Sequence, residues 1–170
     1  VPAEDAEVLA NATAQGLVCL GKTHMSELAF SGLGLNPVTA TPACINDAAA
    51  VAGGSSSGAA ASIACDLAAG AIGSDTGGSV RIPAAWNDLV GLKTTAGRVS
   101  VQGVVPLCAT FDTVGPLSKT VEDAALLLAA LEGRTPADLT ASSLRGKRLG
   151  VLQTVAFDEL REAPALGFET

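Results

Sequence analysis

Two short runs of glycine and serine constrain this 170-residue chain more than any other feature: Gly53-Gly54-Ser55-Ser56-Ser57-Gly58 and Ser74-Asp75-Thr76-Gly77-Gly78-Ser79. Paired glycines open backbone angles that side chains forbid, so each run reads as a tight, shaped loop. Between them, Ala60, Ile63 and Leu67 recur at helical spacing. They predict a helix from Ser57 to Ala69, stopped by Gly70, and Ala71-Ile72-Gly73 predicts a short strand after it. One helix and one strand thus separate Ser55 from Ser79, a connection that lets both loops meet at one edge of a sheet.

The flanking sequence reads as alternating helix and strand. Glu4 to Gln15 is Ala-rich with Val8, Leu9 and Ala12 on one face, and Gly16 stands where a helix terminates. Leu17-Val18-Cys19-Leu20 predicts a short buried strand ending in the loop Gly21-Lys22-Thr23. Residues 31–54 carry no period and predict a long functional loop. Thr120 and Asp123 open an amphipathic helix over Val121–Leu131, closed by Gly133. Residues 134–146 are a polar connector, Arg148–Leu152 predicts a strand, and a further helix is expected near Phe157. Helix followed by strand predicts a layered α/β fold, and no repeat of solenoid period is present.

Composition removes several function classes. With 48% hydrophobic residues the chain is rich enough to bury a core, which argues against disorder. Ten basic against seventeen acidic residues give a net charge of −7. Without a local basic patch, that charge disfavours direct nucleic-acid binding. No apolar run reaches the roughly 20 residues that span a bilayer, so no membrane association is expected. Cys19, Cys44, Cys65 and Cys108 form no C-x-x-C pair, which spells out neither a zinc site nor a disulfide framework and points to a reducing, cytoplasmic compartment. The opening Val1-Pro2-Ala3-Glu4-Asp5 is acidic and lacks both an initiator Met and a secretory signal pattern, as expected of a cut in a longer chain.

Acid–base candidates are scarce: one histidine, no tyrosine and no carboxylate pair at a spacing that forces the two together. His24, alone, reads as a surface or structural histidine. The glycine runs lack the lysine of a P-loop, and Gly32-Leu33-Gly34-Leu35-Asn36-Pro37 breaks the dinucleotide fingerprint at its last glycine, so no nucleotide cofactor is expected. Gly54-Ser55-Ser56-Ser57-Gly58 matches the G-x-S-x-G nucleophile elbow with Ser56 at its centre, yet that fold places its histidine after the serine and His24 precedes it. A serine nucleophile without histidine needs another base, and a neutral lysine is the known alternative. Of Lys22, Lys93, Lys119 and Lys147, position at a strand end favours Lys22. Successive N–H groups in Thr76-Gly77-Gly78-Ser79 can converge on one point, as an oxyanion requires.

Gly53–Gly58 continued by Gly73-Ser74-Asp75-Thr76-Gly77-Gly78-Ser79-Val80-Arg81-Ile82-Pro83-Ala84-Ala85 closely resembles the signature of the amidase signature family. Leu20–Thr23, Gly34–Pro37, Val90–Thr94, Gly103–Pro106 and Asp112–Leu117 resemble it as well, so that the likeness runs from about Ala6 to about Leu152. The resemblance implies an amidase-signature core, a mixed sheet flanked by helices. Residues 1–170 would be a partial domain with its signature at about 53–85 and its N- and C-terminal parts missing.

It implies a Ser-cisSer-Lys triad that cleaves amides through an acyl-enzyme, with Ser79 the nucleophile and Ser55 the bridging serine after a cis peptide from Gly54. Thr76, Gly77 and Gly78 fall where the oxyanion-hole amides lie. The family's catalytic lysine belongs to an upstream motif that no segment here resembles, and Lys22 and Lys93 match other family positions. Lys22 is therefore expected to contact neither serine, with a void or solvent in the lysine's place, and the 170 residues are expected to be nearly inert alone. Departures are His24 where asparagine is common and Ala52 where proline usually precedes the glycines. Asp75 and Arg81, flanking the nucleophile, are expected to hold the loop by a mutual salt bridge. The implied substrate is a small-molecule amide. Rival readings are a subunit of a tRNA-dependent amidotransferase, working with partner subunits, and a relic of the fold without catalysis.

Overall fold

The computed structural model describes residues 3–140, 142–151 and 153–169, and it divides into two compact units, Val1–Leu139 and Thr140–Thr170. In the first unit the chain runs α1 (Glu7–Ala14), a 3-10 turn at Glu27–Ala29, β1 (Ala43–Cys44), β2 (Asp47–Val51), α2 (Ser57–Ala64), β3 (Ala71–Ser74), α3 (Arg81–Trp86), β4 (Val90–Gly91), β5 (Val114–Ser118) and α4 (Val121–Glu132). Strands β3, β5 and β4 form an antiparallel sheet in that order, with Ile72 opposite Pro116 and Gly91 opposite Leu117. Strands β1 and β2 form a separate hairpin that turns at Ile45-Asn46.

The central strand β5 is buried along its whole length because helices cover both of its faces. Side chains alternate along a strand, so Val114 and Leu117, three apart, point to opposite faces. Val114 packs with Val8 and Ala12 of α1, Val99 and Leu131 of α4. Leu117 packs with Ala59 and Ala60 of α2 and Val80 and Ala84 around α3. The α/β class expected from the sequence is the class observed.

Several expected elements are found where they were read. Helix α1, expected over Glu4–Gln15, forms over Glu7–Ala14, buries Val8 and Ala12 and is followed by Gly16 at φ +93°. Helix α4 starts at Thr120, whose hydroxyl accepts from the Asp123 N–H at 3.0 Å, and it ends at Gly133 in the left-handed conformation. Strand β3 occupies the predicted place.

Other elements differ, each for a physical reason. Helix α2 stops at Ala64 rather than Ala69, because Asp66 adopts φ +59° and the N–H groups of Asp66 and Leu67 turn back to the carbonyls of Ile63 and Ser62, a Schellman closure without glycine. Leu67 is consequently exposed, not inward-facing. The segment 17–20 is not a buried strand: no described strand lies beside it, and Val18 and Leu20 are 80% and 75% exposed. Strand structure needs a partner for its backbone groups. The 31–54 loop contains the β1–β2 hairpin.

The second unit holds a 3-10 turn at Val155–Phe157 and α5 (Glu162–Glu169), with the rings of Phe157 and Phe168 edge to face at 4.8 Å. The helix expected near Phe157 thus begins five residues later. The strand expected at Arg148–Leu152 is not formed over residues 148–151, which pair with no strand, and Leu152 lies outside the described residues.

Gly53 shows why the first motif needs its glycines. Its φ is +84°, and a Cβ there would overlap the ring of Trp86. Gly53→Ala is expected to cost at least about 2 kcal/mol, combining left-handed strain with the overlap, seen as a lower urea midpoint at unchanged slope.

Candidate active site

Strand β3 is an edge strand, and the two glycine–serine loops meet around its C-terminal end, as their connection predicted. The Ser56 N–H donates to the Ser79 carbonyl at 3.3 Å, and the Ser56 hydroxyl donates to the Ser74 carbonyl at 3.3 Å. Ser56, centre of the G-x-S-x-G match, is therefore a strut between the loops. Asn87, 1% exposed, braces the first loop from behind: its side-chain nitrogen donates to the carbonyls of Ala52 and Pro83 at 2.8 and 2.7 Å, and its oxygen accepts from the Ile45 N–H at 2.9 Å.

The second loop is built around Asp75, whose side chain is fully buried. Asp75 Oδ1 accepts from the Gly78 N–H at 2.8 Å, and Oδ2 accepts from the N–H groups of Val80 and Arg81 at 3.1 and 3.3 Å. Arg81 clasps the same carboxylate with Nε and Nη2, both at 3.0 Å, which is the salt bridge expected from the sequence. Lys93 adds a second cation, 3.3 Å from Oδ1. Backbone bonds between Asp75 and Thr113 extend the β3–β5 ladder, anchoring the loop to the central strand. Asp112 fastens the far side, taking the Thr76 hydroxyl and the N–H groups of Leu107 and Cys108. Sequence reasoning assigned neither Lys93 nor Asp112 to this loop, because their bonds to it cross 17 and 36 residues of chain or more.

Burial by itself would raise the Asp75 carboxyl, but the Arg81 guanidinium and the Val80 and Arg81 N–H groups outweigh it and hold the group at about 2. A depressed carboxyl adds stability that is complete above its unfolded value near 4 and is lost as pH falls through about 2. That contribution amounts to about 2 kcal/mol. The urea midpoint is therefore expected to fall between pH 5 and pH 2, and Asp75→Asn should flatten that acid-side slope.

The loop surface away from Asp75 lines a cleft of about 370 Å³ in which Ser79, Thr76 and Gly77 face Phe30, Ser31, Ile82 and Leu107. The N–H groups of Thr76, Gly77 and Ser79 make no hydrogen bond among the described residues, whereas Gly78 N–H is committed to Asp75. Of the three expected oxyanion donors, Thr76 and Gly77 are thus free and Gly78 is not.

Ser55 is fully buried, and its hydroxyl has no hydrogen-bond partner. The expected bond between Ser55 and Ser79 is consequently not formed, although their loops touch through the backbone. Nor is the expected cis peptide found: the described chain contains none. A cis bond before a residue other than proline costs roughly 3–4 kcal/mol, and no bond at the Ser55 hydroxyl offsets it. The hydroxyls of Ser26 and Ser57 and Nε2 of His24 are buried without partners as well. Lys22, as expected, touches neither serine; it is exposed and forms no ion pair among the described residues.

Comparison with known proteins agrees with the motif over nearly the whole chain. The Amidase family model matches residues 1–160. A glutamyl-tRNA(Gln) amidotransferase subunit of Cereibacter sphaeroides is 39% identical over 166 residues, covering 88% of this chain and 34% of that protein. A crystal structure of an amidase superposes with TM-score 0.75 at 39% identity, over 77% of this chain and 30% of the other. The peptide amidase PAM, solved with the competitive inhibitor chymostatin, gives TM-score 0.72 at 40% identity, over 78% and 28%. The chain spans about a third of the length of the curated relatives it matches. With its two glycine–serine loops joined at the end of one strand and a family match from end to end of the first unit, the chain belongs to the Amidase family.

Proposed function

We propose that the chain carries the nucleophile half of an amide hydrolase. The observation that carries this reading is a cleft lined by Ser79 together with Thr76 and Gly77, two residues whose backbone N–H groups are unengaged among the described residues. Ser79 Oγ attacks the amide carbonyl carbon, and the two N–H groups receive the oxygen as it becomes negative. The Ser79 proton passes to Ser55 once the two hydroxyls, unbonded in this structure, come within hydrogen-bond reach; the Ser55 hydroxyl is buried and has no competing partner, and the proton goes on to a base that later protonates the leaving ammonia or amine. Water then hydrolyses the acyl-serine ester. Phe30, Ile82 and Leu107 give the cleft an apolar wall for the acyl group of a small-molecule amide.

The base is not a lysine of the first unit. Lys22 is exposed, Lys93 is enclosed by oxygen acceptors and Lys119 pairs with Asp66. We place it in the family's lysine motif, which these 170 residues do not match. The test is ammonia release from simple amides by this chain and by a longer one carrying that motif. Only the longer chain should turn over.

The names of the relatives favour a second reading, one component of a tRNA-dependent amidotransferase that delivers ammonia to partner subunits. Co-purification of the full protein with other subunits decides between them. We place the protein in the cytoplasm, a reading supported by four unpaired cysteines; among the described residues no helix is long and apolar enough to cross a membrane.

A further inference from the structure

Lys93 sits on the back of the nucleophile loop, its side chain 26% exposed, with its ammonium among five oxygens. It donates to the Asp75 carbonyl, and it lies 3.5 Å from the Thr76 carbonyl, 3.2 Å from that of Phe111, 3.1 Å from Thr113 Oγ1 and 3.3 Å from Asp75 Oδ1. Two of these contacts have a consequence on the other side of the loop. The Asp75 carbonyl belongs to the same planar peptide unit as the Thr76 N–H, and the Thr76 carbonyl to the same unit as the Gly77 N–H. In a trans peptide the C=O and N–H point in opposite directions. The Asp75 carbonyl is also held by the Thr113 N–H and hydroxyl; a cation on both oxygens adds to that hold, keeps both N–H groups turned away from itself and polarises them, which strengthens them as donors.

We propose that Lys93 is a positioning residue that orients and polarises the two oxyanion-hole peptides of the cleft, acting through the carbonyls of Asp75 and Thr76. The inference rests on the reading of Ser79 as nucleophile. Because it concerns donors needed only when negative charge develops on the substrate, it predicts a loss in kcat and not in binding.

The turnover-competent longer protein carrying Lys93→Met should lose roughly ten- to a hundredfold in kcat, with KM within about twofold, since deleting one such donor outright costs roughly 10²–10³. Lys93→Arg, which keeps the charge, should recover most of that loss. In the 170-residue chain labelled with ¹⁵N-glycine, Lys93→Met should shift the Gly77 amide proton upfield by more than it shifts the exposed Gly97. If Lys93→Met does not fold, Lys93→Gln, neutral but still a donor, is expected to show the same kcat loss and the same Gly77 shift.

An unchanged kcat, a parallel change in kcat and KM, or a stationary Gly77 resonance in the folded neutral variant would overturn the proposal. Ser79→Ala separates the two levels. Turnover that survives it refutes the nucleophile reading, whereas Ser79-dependent turnover indifferent to Lys93 refutes only this inference.

Discussion

Ser79→Ala in the longer, active protein should reduce kcat for amide hydrolysis by at least roughly four orders of magnitude. Removing a serine nucleophile leaves only the oxyanion donors and substrate binding to act on the background reaction. The substitution deletes one oxygen from a half-buried side chain in the cleft and leaves the Ser79 carbonyl, which accepts from Ser56, in place. Its stability should therefore be nearly unchanged, which separates chemistry from folding. Ser55→Ala should fall in the same class if Ser55 relays the proton. It also removes a buried hydroxyl without a partner, which itself costs about 1–3 kcal/mol to bury, so the inactive variant should be as stable as the parent or more so. A Ser79→Ala protein that still releases ammonia at the parent rate would sink the assignment. Equal, Ser79-dependent turnover by the 170 residues and the longer chain would refute the claim that the base lies outside these residues.

The second large effect is on stability. Asp75→Asn should lower the melting temperature by about 10 °C, because it strips the shared anion from Arg81 and Lys93 and weakens the acceptor for three loop N–H groups. Breaking a buried ion pair by neutralising one partner costs about 3–5 kcal/mol, and the half-exposed Arg81 recovers part of that from water. About 3 kcal/mol then corresponds to the stated shift for a domain of this size. Arg81→Ala, by contrast, should cost about 1 kcal/mol, since its side chain is 51% exposed and surface charge pairs are worth little. A calorimetric scan of the two variants checks the asymmetry. Equal losses would mean that the carboxylate does not organise the loop.

What could be read along the chain was what local chemistry decides. Thr120, Asp123 and Gly133 cap α4 through bonds within a few residues, and the predicted helix is the observed one. Asp75 and Arg81 are six residues apart on one tight loop, and their pairing followed. Elements that break local rules were missed. Strand β5 contains Gly115 and Pro116, which ordinarily demote a strand, yet it is the central one: Gly115 lets the Leu92 carbonyl come close, and the Pro116 carbonyl still accepts from the Leu92 N–H at 3.1 Å. Helix α3 carries Pro83 in its first turn, where a missing N–H is tolerated.

The amino-acid sequence alone determined which residue types are on hand for chemistry here: two glycine–serine loops, a single histidine and four lysines. Allocation of hydrogen bonds was left to the tertiary structure. It gave the Gly78 N–H to Asp75, left those of Thr76 and Gly77 without a partner among the described residues, enclosed Lys93 in oxygen acceptors and left the Ser55 hydroxyl unpaired. Spacing tells where a donor stands along the chain. Which acceptor reaches it is decided by how the chain packs, and in this loop that choice separates the Gly78 amide, held by Asp75, from the unengaged amides of Thr76 and Gly77.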